Sequence, residues 1–256
     1  LLFSLAASGG EKRQVPRDFE GAGAWRKDSN TLQILINQEV SDDATITEVD
    51  INLSNFKSAV RNMISSGNTG GQTFVTSARQ AFGRYSDNLG ESFITTNNQG
   101  DVPFDKFCSG QTYAPNTFGN NRGFVNQIYI TGEEADNGRL FILDNVRREL
   151  YLLSGEVGSA PNGGNAGMPS DPWENAALVD TGEQSHIALF LSPDGGSKNL
   201  QIYIGHKGLN KNGGQSNSPN FLERNGLTCG SWYYLTGDFP DNVGDTKNGA
   251  LSKDDN

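Results

Sequence analysis

A chain of 256 residues with 34% hydrophobic content can bury a sizeable core, and its length suits one large all-β domain better than two smaller ones. Its 30 acidic side chains outnumber 20 basic ones, and the net charge of −10 excludes nucleic acid and an anionic membrane surface as partners through bulk electrostatics while leaving cation binding open. No apolar run approaches the roughly 20 residues that cross a bilayer, so no transmembrane segment is expected.

In chain order, the opening Leu1-Leu-Phe-Ser-Leu-Ala-Ala-Ser8 reads as the tail of an apolar targeting segment, although a basic flank and an initiating Met are lacking. Residues 1–14 are therefore taken as a processed or disordered N-terminal segment, which points to a secreted, periplasmic or cell-surface protein. Residues 15–246 follow as the domain, and residues 247–256 as a polar tail with no closing strand. Within the domain, strands are expected at 32–37, 45–53, 72–77, 127–131, 139–144, 149–154, 177–180, 186–191 and 200–205. Many are bounded by Gly, Asn or Asp, the residues that hairpin turns use. Helix is expected once, over 53–64, where Leu53, Phe56, Val60, Met63 and Ile64 recur at helical spacing and Ser54 or Asn55 can cap the start.

Two meanders stand out, one over 127–154 and one over 177–205, separated by long Gly/Asn-rich loops. Such repetition suits the blades of a β-propeller better than a two-sheet sandwich, and the expected fold class is all-β and propeller-like, incomplete in this chain. No Gly-rich phosphate cradle with a following Lys is present, and the acidic, Gly-rich stretches do not fit an EF-hand.

The strongest local signal is Gly132-Glu133-Glu134, two adjacent carboxylates where an apolar-alternating strand stops. Side chains alternate faces along a strand, so the two point opposite ways and one reaches into a site at the strand's end. A one-residue slip in register would exchange them. Glu39 and Glu174 also lie beside strand-like runs, and carboxylates are the natural ligands of hard cations. Arg139, just downstream, can meet a phosphate bidentately or pair with one of the two glutamates. Cys108 and Cys229 allow one disulfide or two free thiols. His186 and His206 are the only histidines, so a His-based zinc site is not expected, and neither stands in a nucleophile context.

Several segments taken in order resemble one family. Gly21-Ala-Gly-Ala-Trp25, Leu35-Ile-Asn-Gln-Glu39, Phe107-Cys-Ser-Gly110, Ile128-Tyr-Ile-Thr-Gly-Glu-Glu134, Trp173-Glu-Asn-Ala176 and Leu200-Gln-Ile-Tyr-Ile-Gly205 are similar to motifs of the PhoX-type alkaline phosphatases and their uncharacterised propeller relatives. The resemblance spans roughly residues 15 to 236, with Gln38 where the family has His. It implies a calcium-dependent phosphomonoesterase with an iron and calcium cluster at the propeller hub. Cys108 would be an iron ligand, and Glu39, Glu174 and one of Glu133 or Glu134 would supply carboxylates. Arg139 is the candidate phosphate contact on its own chemistry and not by the resemblance. The expected reaction is displacement at phosphorus by a metal-activated oxygen, on a small phosphoester. The other reading is a catalytically silent propeller, a calcium-stabilised assembly module whose ring a protein partner completes.

Overall fold

The computed structural model describes residues 18–68, 70–71, 73–96, 102–153, 169–194, 200–236 and 250–253. The N-terminal segment 1–14 and most of the loop expected after residue 154 lie outside the described residues. The fold is all-β. The described residues form fifteen strands and two helices, arranged as open sheets of four, six and five strands. The first sheet holds β1 (Phe19–Arg26), β2 (Thr31–Gln38), β3 (Ile46–Asn52) and β4 (Val75–Gln80) in sequential antiparallel order. Helix α1 (Leu53–Ser66) joins β3 to β4.

The second sheet comprises β5 (Arg84–Ser86), β6 (Ile94–Thr95), β7 (Phe107–Tyr113), β8 (Ile128–Glu133), β9 (Leu140–Asp144) and β10 (Glu149–Leu152), in the order β6-β5-β10-β9-β8-β7. Its β5 and β10 pair in parallel, against the antiparallel rule of the rest. The third sheet runs β11 (Trp173–Val179), β12 (His186–Pro193), β13 (Gln201–His206), β14 (Gly230–Thr236) and β15 (Ala250–Lys253), with the short helix α2 (Phe221–Arg224) between β13 and β14. The tail expected to carry no strand therefore contributes β15, which pairs with the edge of β14. An edge strand offers a row of unpaired backbone groups to any extended segment, so a short polar run can pair there without a recognisable side-chain pattern.

The second sheet is the middle layer. Ile128, Ile130, Leu140 and Ile142 project to one core together with Trp173, Leu178, Leu189 and Tyr203 of the third sheet. Tyr129, Phe141 and Leu143 project to the other core, with Leu35 and Ile46 of the first sheet and the rings of Phe82, Phe104 and Phe107. Every residue of β8, β9 and β10 is buried, because alternate side chains enter different cores.

The layers meet along one edge strand of each, β1, β7 and β11, here called the leading strands: β1 packs on β7, and β7 packs on β11. Glycine permits the first contact. A Cβ on Gly21 would overlap the backbone of Cys108, Ser109 and Gly110, and one on Gly110 would overlap the Tyr129 ring hydroxyl. The two backbones thus approach more closely than any side chain would allow.

Helix α1 forms where its periodicity places it, but Asn52, rather than Ser54 or Asn55, is its N-cap. The Asn52 side chain accepts from the Asn55 N–H at 2.9 Å, and Gly67 closes the C-terminus at φ 71°. Its apolar stripe is not a core face. Phe56, Val60, Met63 and Ile64 are all exposed, Ile64 at 81%, and Ala59 is the residue the helix buries.

Candidate metal centre

Four chain segments from all three sheets converge at one end of the leading strands. Beyond β2 comes Glu39, whose N–H donates to the Asp18 carbonyl at 2.7 Å. The segment entering β7 is fastened on both sides by Lys106: its N–H donates to Val40 O at 2.9 Å and its carbonyl accepts from Glu134 N–H at 3.0 Å. This places the end of β2, the start of β7 and the end of β8 side by side. From the third sheet comes Glu174, the second residue of β11.

Cys108, Glu134 and Glu174 meet there, with a ligand atom of each lying within 4.8 Å of the others. The thiol of Cys108 stands 3.8 Å from Glu174 Oε2 and is buried, Glu134 is half-buried and Glu174 is exposed. Glu39 adds a third carboxylate within electrostatic reach of Glu134, and Glu20 and Asp194 add further negative charge. Lys106 is the cation that partly offsets Glu39.

Burial raises the pKa of Glu39, and the Glu134 charge raises it further; burial, Glu134 and Asp194 do the same to Glu174. The Cys108 thiol is also pushed up, first by burial, then by its hydrogen bond to Glu134 and the Glu174 charge. Anionic groups are thus gathered here at a cost that a bound cation would remove.

The set of donors suits such an ion. Oxygen ligands stand ~2.3–2.6 Å from calcium, so donors around one ion lie up to about 5 Å apart. Three donors within 4.8 Å fall inside that limit. The sulfur of Cys108 favours a softer ion such as iron, while the carboxylates suit iron and calcium alike.

Asn37, two residues before Glu39, is the part of this centre whose role the sequence did not reveal. It is fully buried, and its Nδ2 points at Cys108 O (2.7 Å), Ser109 O (2.9 Å) and Thr131 Oγ1 (2.7 Å), while its Oδ1 accepts from Tyr129 O–H at 2.8 Å. One amide therefore ties β2 to the backbone that carries Cys108 and to β8. A short polar side chain directly after the apolar run Ile34-Leu-Ile36 and two residues before a carboxylate is the pattern that could have marked it.

Glu133 and Arg139 do not join the cluster. Glu133 faces the opposite side of β8 from Glu134, as strand alternation requires. The residue is 2% exposed, and its carboxylate accepts from Asp105 N–H (2.8 Å), Arg139 N–H (3.0 Å), Arg139 Nε (2.6 Å) and Arg139 Nη2 (2.5 Å). Arg139 also donates to Pro103 O and lies over the rings of Phe104 and Phe141. The arginine that could have met a phosphate is thus engaged in an internal ion pair. Arg139→Ala is expected to lower the unfolding free energy by about 3 kcal/mol, because it strands a buried carboxylate. Urea denaturation checks this, and metal content of the folded fraction is expected to stay as in the wild type.

Cys108 and Cys229 are both free, buried thiols. Cys229 belongs to the far end of the third sheet, where its carbonyl accepts from His206 N–H at 2.8 Å. Among the described residues no helix is long and apolar enough to cross a membrane. Set against protein-family models, curated protein sequences and solved structures, this chain finds no match in any of the three comparisons.

Proposed function

We propose that the chain is a metal-dependent phosphoester hydrolase of the PhoX-like kind, built as three consecutive blades of a β-propeller. The convergence of Cys108, Glu134 and Glu174, with Glu39 beside them, carries this reading. These residues come from separate motifs that resemble that family in order along the chain, and they meet in space. In the propeller arrangement β1, β7 and β11 are the inner strands, consistent with β7 packing against both. The outward face of the first sheet aligns Ala24, Ile34, Val49 and Ala78 across its strands, and that of the third aligns Val179, Ala188 and Ile204. Apolar rows of this kind are what a neighbouring blade would cover.

In the site, Cys108, Glu134, Glu174 and Glu39 would hold iron and calcium. A cation there supplies neutralisation of phosphate oxygens and of charge developing on the leaving oxygen. The chain's own contribution is positioning. Asn37 fixes the Cys108 backbone, Lys106 holds β2 and β8 in register beside it, and the Glu174 carboxylate stands ready to accept the Cys108 proton when the thiol becomes a ligand.

Elemental analysis of the folded protein, with p-nitrophenyl phosphate hydrolysis before and after chelation, tests the proposal. Bound iron and calcium, with chelator-sensitive hydrolysis and loss of iron in Cys108→Ser, are expected. A folded protein that takes up neither ion when both are supplied overturns it.

A further inference from the structure

The third sheet carries a second cluster of donors at its other end. Trp173, at the start of β11, pairs with Pro193, and Val179, at its end, pairs with Ala188. His186 therefore lies some six residues along the sheet from Glu174, roughly 20 Å at ~3.3 Å per residue. Directly across from it, in register on β13, is His206. These two are the only imidazoles in the chain.

We propose that His186 and His206 form a cross-strand chelate for a divalent late-transition cation of the Zn²⁺ or Cu²⁺ class, distinct from the carboxylate–thiol centre. Their Nε2 atoms lie 3.1 Å apart, with ring centroids at 3.9 Å and planes inclined by 59°. Nitrogen ligands stand ~2.0–2.1 Å from zinc, so two of them at angles between about 90° and 110° lie roughly 2.9–3.4 Å apart. The observed separation falls inside that interval, whereas the ring centroids are closer than the ~4.8 Å of two imidazoles aimed at one ion, so the rings turn apart at their outer edges when the ion binds.

The remaining ring nitrogen of His186 is already engaged. Its Nδ1 lies 2.9 Å from Ser185 Oγ, which fixes the ring and leaves Nε2 for the ion, the arrangement metal-bound imidazoles use. The backbone beneath is held on both sides: Lys207 N–H donates to Ser185 O at 2.9 Å, and His206 N–H donates to Cys229 O at 2.8 Å. Glu183 lies within electrostatic reach of His186, and its charge favours a cation there. Both rings are at the surface, so an ion has open access and the rest of its shell can be water.

The competing explanation is a plain N–H···N hydrogen bond between neutral rings. Long-range ¹H–¹⁵N spectra separate the two, because every imidazole signal in the protein belongs to this pair. Titration of the full chain with Zn²⁺ is expected to shift both Nε2 resonances together, saturating at one ion per pair, and Cu²⁺ is expected to broaden both. In His206→Gln, Zn²⁺ affinity read at His186 is expected to fall about tenfold or more, since the second ligand no longer acts at high effective concentration. Resonances that stay unmoved at millimolar Zn²⁺, or a His206→Gln variant that binds as tightly as the wild type, overturn the proposal. Zinc taken up by Cys108 and its carboxylates leaves these signals untouched, so neither result depends on the function proposed for that site.

Discussion

Gly21→Ala is expected to destabilise the protein by about 3 kcal/mol or more, at or above the upper end of what overpacking a close-packed interior costs. The added methyl has nowhere to go. The three nearest atoms it would meet are all backbone, from Cys108, Ser109 and Gly110, so no side-chain rotation relieves the overlap. Either β1 lifts from β7 or the strand carrying Cys108 shifts, and the second response opens the metal cluster. Loss of stability in urea is therefore expected together with weaker metal uptake by the fraction that folds. Gly83→Ala is the control: a Cβ there meets nothing within 4 Å, and its stability is expected to stay within about 0.5 kcal/mol of wild type. Wild-type stability in Gly21→Ala would mean that the β1 to β7 contact is looser than the structure has it.

The same glycines explain which strands were legible in the sequence. Strands β2, β3, β8, β9, β10, β12 and β13 announce themselves as apolar runs, alternating or continuous according to whether one or both faces are buried. The leading strands β1 and β7 do not, although their motifs were singled out for chemistry. Phe-Glu-Gly-Ala-Gly-Ala-Trp-Arg and Phe-Cys-Ser-Gly-Gln-Thr-Tyr carry small residues where a core strand would carry large ones. They are small because two backbones must touch, a tertiary demand that local propensity does not record. Helix α1 was legible in extent, but its apolar stripe suggested burial that the fold does not provide. Alternation foretold that Glu133 and Glu134 would part company; which of them enters the cluster follows from register with β9 and from Arg139 waiting on the other face. Asn37 was hidden because its four contacts join three strands that are distant in sequence.

Glu174→Gln is expected to change stability in opposite directions with and without metal. In chelator, the folded wild type holds Glu174 and Glu39 with pKa values raised above their ordinary 4.5 by burial and by neighbouring carboxylates. A raised carboxyl pKa means that the folded state binds its proton more tightly than the unfolded state does. Its contribution to stability is then largest below pH 4.5 and declines as pH rises through the raised value, so the metal-free protein bears more of the repulsion the further pH rises. Removing one charge relieves it. Glu174→Gln is thus expected to melt higher than wild type in chelator at pH 7, with a shallower decline between pH 4.5 and 7. With iron and calcium supplied, the order reverses. The wild type gains stability because an ion that binds only the folded state stabilises it by mass action, and the variant gains little. Its metal affinity is expected to fall about 100-fold or more, beyond the 10–100-fold typical of groups that merely support a ligand. Thermal melts in chelator and in excess metal, run on both proteins at two pH values, decide the matter. A variant that melts lower than wild type in chelator and keeps the full metal-induced rise would show that Glu174 supports the fold and is not a ligand. Since the destabilising charge and the proposed binding site are the same atoms, stability and function are opposed at this position.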